Sequence, residues 1–506
     1  MKLVFEKIIK YHWDAILASI AGCIFICYFT HHSGIGISPD SVIYESVATN
    51  IRNQFSFTDF NGTPLVDFPL GYPLFLAKAS FITGIPVIKI VPLLNCILFT
   101  GVILLTSVII QGYQKKSYLF KACFLAILAC SPCLLEVYSM LWSETLFIFL
   151  ILLFVVAMRN YFRSHSILAL LAMAMVVAFA FVTRYAGISL LGAGVFLLLF
   201  DGELSLRKKL QHIFIFGITG SSLAISNLLR NSRVAGSTTG VREKALRSVT
   251  DNLQQIGTTI SDWLPFVRGH EKIATILFLV VLLSGIFILA YRIFQQQYYQ
   301  SYENIVACFF VVYTVFLIII ATISRFENLS SRLLSPVYIP FLLVGSSWII
   351  AFVQRSVRIK QIVLIVLFFV LYAGFHYNHY QLNAEAWEGI KDAGMPGYTE
   401  DSWTQSPVVA FVKKNKDSYA TPVYANANDA VYFLTGIHAL PLPHKEIQKE
   451  IDVFLQHTSF TLIWFIDGEN PDLVSLDFIK QHKKLVSAQE TEAGAVYFFS
   501  DTASKR

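Results

Sequence analysis

Apolar runs of about 17–24 residues recur along most of this chain, each long enough to cross roughly 30 Å of hydrocarbon. They predict eleven spanning helices, near 11–30, 88–111, 119–135, 141–158, 166–182, 186–200, 212–229, 274–293, 304–323, 333–352 and 361–376. The connections between them alternate in kind. Every second one is basic, carrying in turn Lys115/Lys116, Arg159/Arg163, Arg207/Lys208/Lys209, Arg292 and Arg355/Arg358/Lys360. Lys and Arg collect in cytoplasmic loops, so the N-terminus is expected in the cytoplasm, and the odd number of spans puts the C-terminal region outside. The first run is expected to be retained rather than cleaved, because it is long and HHSGIG is a poor small-residue cleavage site.

Three outer segments are long: 31–86, 230–272 and everything after His376. The first carries Asp40, Glu45, Asp59 and Asp67 where a short turn would have sufficed, and loops longer than their connection requires are often functional. After Pro39 the spacing of Val42, Tyr44/Glu45, Val47/Ala48 and Ile51 predicts a helix lying along the membrane surface. Asp40 stands at its N-terminal end, where the dipole favours a carboxylate; a plain capping role for Ser38 or Asp40 fits the same position. Residues 68–86, with three prolines and two glycines, suit an interfacial helix leading into the second span. The last outer segment, 377–506, predicts a small α/β domain. Its helices fall in SPVVAFVKKN, NDAVYFLTG and HKEIQKEIDVFLQH, and its strands in PVYAN, TLIWFI and AVYFFS.

Composition agrees with a multi-pass protein of the cell membrane: 55% of residues are hydrophobic and only 14% charged. The formal charge of +6 is accounted for by the basic loops and gives no reason to expect nucleic acid. All seven cysteines lie in or beside apolar runs, so no disulfide framework is expected. Neither His nor Cys shows metal-ligand spacing.

Polar residues gather on the outer side. Glu136 and Glu144 flank one turn, Arg184 and Tyr185 follow the fifth run, and Arg325, Glu327 and Arg332 precede the tenth. Arg230, Arg233, Arg242, Lys244 and Arg247 follow the seventh. Outer arginines close to the bilayer fit a bound anion such as a lipid phosphate; a snorkelling belt or ordinary ion pairs fit them too.

These features together resemble the GT-C membrane glycosyltransferases, the group of the protein O-mannosyltransferases, the lipid A aminoarabinose transferase and bacterial family-39-like enzymes. The resemblance runs over nearly the whole chain. It lies in the early Asp of the first outer loop, PLGYPLF before span two, WSETLF, TRYAG, RNSRVAGSTTG, SRLLSPVYIP and NANDAVYFLTGIHALPLP. It implies an all-α polytopic domain over 1–376, with juxtamembrane helices in the first outer loop, and an extracytoplasmic α/β domain over 377–506. It also implies an inverting transfer from a polyprenyl-phosphate sugar to an acceptor hydroxyl on a lipid, protein or polysaccharide.

By the same resemblance Asp40 matches the general base. Ser41 stands where many relatives have a second acid, which weakens any metal-binding carboxylate pair. Glu144 is the candidate second carboxylate, either orienting the acceptor or, as in metal-dependent relatives, helping to hold a Mg or Mn ion; no metal ligand set is assigned. Arg184, Arg332 and Arg242 are the candidate donor-phosphate ligands. Tyr44, Tyr72 and Tyr185 are candidate substrate contacts, with an interfacial aromatic belt as the other reading of Tyr44 and Tyr72. Three other functions fit a membrane protein of this kind: a transporter or flippase of lipid-linked sugars, a non-catalytic envelope-assembly protein, and an O-antigen ligase or polymerase. A transporter would keep charges at mid-depth, whereas here they cluster at the outer rim.

Overall fold

The computed structural model describes residues 2–240, 244–325, 327–419, 422–468 and 470–500. In chain order the helices are α1 (Lys2–Thr30), α2 (Pro39–Gln54), α3 (Gly71–Thr83), α4 (Val87–Gln111), α5 (Tyr118–Ala129), α6 (Pro132–Tyr138), α7 (Glu144–Ser164), α8 (Ile167–Thr183), α9 (Ile188–Leu199), α10 (Leu206–Ala235), α11 (Val249–Trp263), α12 (Glu271–Gln295), α13 (Tyr302–Ile323), α14 (Ser331–Arg355) and α15 (Arg358–Ala393). Each of the eleven expected runs is helical. Among the described residues eight helices are long and apolar enough to cross a membrane, while α8 and the segment Tyr185–Leu199 are shorter apolar helices.

The third expected span is a bent pair, with α5 and α6 meeting at 50°. Pro132 is the cause. Without an N–H it cannot continue α5, and Ser131 restarts the chain as the N-cap of α6, accepting from Leu134 N. A further helix absent from the sequence expectations, α11, buries Ile256, Ile260 and Trp263 on one face.

The basic connections share one end of the bundle. Gln354 donates to Lys116 O at 3.4 Å, and Glu303 accepts from Gln114 N at 3.1 Å. Arg159 donates to Gln300 O at 2.8 Å, His165 meets Asp201 at 2.8 Å, and Gln296 donates to Phe200 O at 3.2 Å. At the other end Arg230 donates to the carbonyls of Leu65 and Phe57, so one basic residue near the end of α10 clamps the segment between α1 and α4.

The C-terminal region holds α16 (Asp401–Thr404), α17 (Pro407–Lys414), α18 (Asn428–Thr435), α19 (Gln448–Leu455) and α20 (Leu476–His482). These flank five strands: β1 (Val423–Ala425), β2 (Leu440–Pro441), β3 (Ser459–Phe465), β4 (Leu485–Thr491) and β5 (Gly494–Ser500). The sheet order is β2-β1-β3-β5-β4, parallel where β1 meets β2 and β3, antiparallel where β5 meets β3 and β4.

This domain is fused to the segment between α1 and α4. One apolar core contains Ile37, Val42 and Val47 from the loop together with Tyr398, Val408, Val431 and Ile463 from the domain. Phe60 stacks on Tyr432 with ring centroids 4.4 Å apart, and Asn61 donates to Ala439 O at 2.9 Å. Closest to Asp40, Tyr398 N donates to Ile37 O at 2.8 Å.

That contact requires a glycine. Gly397 has φ +95°, and a Cβ there would lie 2.2 Å from Ile37 O. Gly397→Ala is therefore expected to destabilise the seam by at least the ~1–2 kcal/mol cost of a left-handed L-residue, read as a lower unfolding temperature and faster proteolysis of the outer domain. Unchanged values would show that the seam gives way without cost.

Candidate functional site

The chain enters the site through residues 36–38. Gly36 N donates to Ser139 O at 2.9 Å and Leu141 N donates to Gly36 O at 3.0 Å, so this segment lies between the α6–α7 turn and the outer domain. Ser38 then starts α2. Its N–H donates to Ser41 Oγ at 3.0 Å, and Pro39 supplies the preset φ of a first helical residue. Ser41 Oγ in turn donates to Leu141 O at 2.9 Å. The departure from a double acid is thus a structural anchor that points Asp40, in the first turn, toward α14.

Four charged residues from distant parts of the chain meet there. The Arg332 guanidinium hydrogen-bonds the Asp40 carboxylate through Nη2 and Glu144 Oε1 through Nε, the latter at 2.8 Å. Arg184 Nη1 reaches the same Glu144 oxygen at 2.8 Å and donates to Ser143 Oγ at 2.8 Å. Glu144 is fully buried, whereas the Asp40 side chain keeps 17% exposure. A buried carboxylate is tolerated only when paired, and here two guanidinium groups pair it. Arg332 also lies over the Trp142 ring, 4.6 Å from its centroid, and the Trp142 indole donates to Ser38 Oγ at 2.9 Å. The third face of Arg332 meets Glu327 at 3.8 Å, its loosest contact. Burial and the neighbouring Asp40 carboxylate push Glu327 above the usual carboxylate range, with Arg332 pulling the other way.

These groups border a cavity of about 530 Å³, whose walls include Asp40, Tyr44, Asp67, Phe68, Arg184, Tyr185, Tyr313, Arg325, Glu327 and Arg332. The size falls within the range of small-molecule sites. The Tyr44 hydroxyl is 3.3 Å from Ser143 Oγ; burial, with Asp40 adding to it, raises its pKa far enough that the phenol stays protonated. Tyr185 donates to Val66 O at 2.7 Å and accepts from Asn231 Nδ2 at 3.0 Å, tying the α8–α9 connection to the first loop.

The structure thus brings together Asp40, Glu144, Arg184, Arg332, Tyr44 and Tyr185. Tyr72 is buried edge-on behind Tyr44, with centroids 5.1 Å apart, and is not among the cavity walls. Arg242 lies outside the described residues. Glu136 is exposed on α6. Trp142 and Ser143 were not singled out from the sequence; both lie in the WSETLF block, and only their contacts reveal their part. As donors for a cation the carboxylates fit poorly: Asp40 and Glu144 are already held by guanidinium groups, which would repel a dication. Among the described residues no group of three or more His, Cys, Asp or Glu side chains is placed to hold a metal.

No family model matches the chain, and no curated protein matches it by sequence. Solved structures match it by fold. ArnT from Cupriavidus metallidurans bound to undecaprenyl phosphate is similar with a TM-score of 0.55 at 10% identity, over 97% of this chain and 98% of that one. The oligosaccharyltransferase AglB from Archaeoglobus fulgidus, in complex with an inhibitory peptide and a dolichol-phosphate, is similar with a TM-score of 0.55 at 11% identity, over 97% of this chain and 74% of that one. The chain shares its fold with these two solved structures.

Proposed function

We propose that the protein is an inverting glycosyltransferase that moves a sugar from a polyprenyl-phosphate carrier to an acceptor hydroxyl at the outer face of the cell membrane. The observation that carries this reading is the placement of Asp40. It is a partly exposed carboxylate on a cavity wall, held by Arg332 against the buried Glu144. The positive-inside loops support an outer location for that end of the bundle.

In the reaction, the acceptor hydroxyl oxygen forms a bond to the anomeric carbon as the bond from that carbon to the phosphate oxygen breaks. The hydroxyl proton passes to Asp40, and the bond electrons leave with the lipid phosphate. A positioned carboxylate base contributes roughly 10²–10⁴-fold. The phosphate gains charge as it leaves, so a fixed cation beside it stabilises the transition state more than the ground state. Arg184 borders the cavity for that role. Arg332 acts chiefly by positioning Asp40, and its loose contact to Glu327 is where the phosphate takes the carboxylate's place. Tyr44 and Tyr185 face the sugar, and Tyr72 backs Tyr44.

Glycolipid and glycoprotein profiles of cells with and without the intact protein test this reading. Loss of one glycan product is expected in its absence. Identical profiles, together with accumulation of a transported lipid on one leaflet, would replace the transferase with a transporter.

A further inference from the structure

The segment that carries Asp40 leaves the bundle at the end of α1 and returns to it at the start of α4, and two thiols face each other at its base. Cys27 lies in the last turn of α1. Cys96 lies in α4 next to Asn95, whose side chain donates to Tyr138 O at 2.8 Å and to Met140 O at 3.0 Å. Both therefore stand at the Asp40 end of the bundle, and their Sγ atoms are 4.0 Å apart. We propose that Cys27 and Cys96 form a reversible disulfide that clasps the base of the Asp40 segment; from the reading above it takes only the placement of this end outside the cytoplasm.

The packing of α1 on α4 favours this pair. A Cβ on Gly22 of α1 would lie 2.1 Å from the Phe99 ring of α4, so the two helices are pressed together close to the thiols. Closing the gap to the roughly 2 Å of a disulfide calls for rotation about χ1 at the two cysteines. Cys27 is exposed and Cys96 half-buried, which suits an attacking and a resolving thiol. A groove of about 620 Å³, with Ser19, Cys27, Tyr28, His31 and Thr100 among its walls, opens onto Cys27. Cys23 is the third sulfur nearby, but it lies one turn deeper and is engaged. Its Sγ donates to Cys96 O at 3.6 Å and sits 3.5 Å from Thr100 Oγ1.

The co-reactant is an organic disulfide, X–S–S–X. The Cys27 sulfur gives up its proton and attacks one sulfur of the reagent, and the released thiolate takes up a proton as X–SH. Cys96, deprotonated in its turn, attacks the Cys27 sulfur of the mixed disulfide and releases the second X–SH. The cysteine pair loses two electrons and the reagent gains them. Such a bond persists outside the cytoplasm. It closes the chain around the whole excursion from α1 to α4, and so removes entropy from every state in which that segment has come away. The clasp thus opposes local opening of the segment that positions Asp40.

The test uses the full chain in lipid nanodiscs, oxidised with dithiodipyridine, blocked with N-ethylmaleimide and digested without reductant. Mass spectrometry is expected to find a linked Cys27–Cys96 peptide pair in the wild-type protein and in the C23S variant, and none in C27S or C96S. Hydrogen exchange across residues 31–86 is expected to be several-fold slower in linked than in reduced wild-type protein. Protein alkylated in intact cells before lysis is expected to carry the same link. Separate peptides, a Cys23–Cys96 pair in their place, equal exchange in the two forms, or fully free thiols in cells would each overturn the proposal. Glu492 is exposed on the outer domain, and labelling of a Glu492→Cys variant by a membrane-impermeant maleimide on intact cells reads the orientation by itself. Absence of that label would remove the outer placement, whereas label together with free Cys27 and Cys96 would remove only the clasp.

Discussion

Asp40→Asn is expected to lower sugar transfer by roughly 10²–10⁴-fold while leaving the amount of folded protein unchanged. The substitution keeps the side chain's size, and the amide oxygen can still accept from Arg332. What it removes is the proton acceptor. The same variant separates catalysis from capping. Asn and Asp cap helices about equally well, and Ser38, not Asp40, occupies the N-cap of α2. If Asp40 only served the helix end, Asn in its place would be nearly silent. Transfer rates measured on purified protein at saturating donor, beside the unfolding temperature, decide between the two. Activity above a few per cent of wild type would remove Asp40 from the role of base.

Arg332 gives the second large effect, and it divides by substitution. Arg332→Ala leaves Asp40 without its partner and Glu144 with Arg184 alone. Removing one member of a buried ion pair typically costs ~3–5 kcal/mol, and the surviving Arg184 contact to Glu144 places the expected loss near the lower end. Arg332→Lys keeps the charge and much of the stability, but an ammonium cannot present the planar fork that reaches Asp40 and Glu144 together. Asp40 is then free to move, and a misplacement of about 1 Å can cost 10² in rate. Arg332→Lys is therefore expected to fold and to transfer at about a hundredth of the wild-type rate or less. A fully active Arg332→Lys protein would show that Asp40 does not need to be positioned by a guanidinium fork.

The bundle was largely legible in the sequence because a bilayer demands long apolar runs, and eleven of them stand out. Their ends were less so. α15 runs on to Ala393, well past the apolar stretch, because no proline interrupts YNHYQLNAEAWEGIKDA and its single glycine, Gly389, is carried within the helix. α11 was missed because its apolar face is narrow within a polar segment. In the outer domain β1, β3 and β5 are apolar enough to be seen, whereas β4 (LVSAQET) is an exposed edge strand and β2 has only two residues. The site is a different case. Asp40 and Arg332 are 292 positions apart, and no periodicity joins them. Family-like blocks named the candidates one at a time; the ion-pair geometry, the anchoring role of Ser41 and the Trp142 ring beneath Arg332 came only from the fold.

Transfer of sugar from a lipid phosphate in this cavity can be followed on the donor itself. Purified full-length protein in nanodiscs would be given a polyprenyl-phosphate sugar labelled on the sugar, together with a membrane extract containing the acceptor. Label is expected to pass to a product of inverted anomeric configuration as an equal amount of polyprenyl phosphate is released, and the Asp40→Asn protein is expected to do neither. Transfer with retained configuration, or release at the same rate in both proteins, would contradict an inverting transfer with Asp40 as its base.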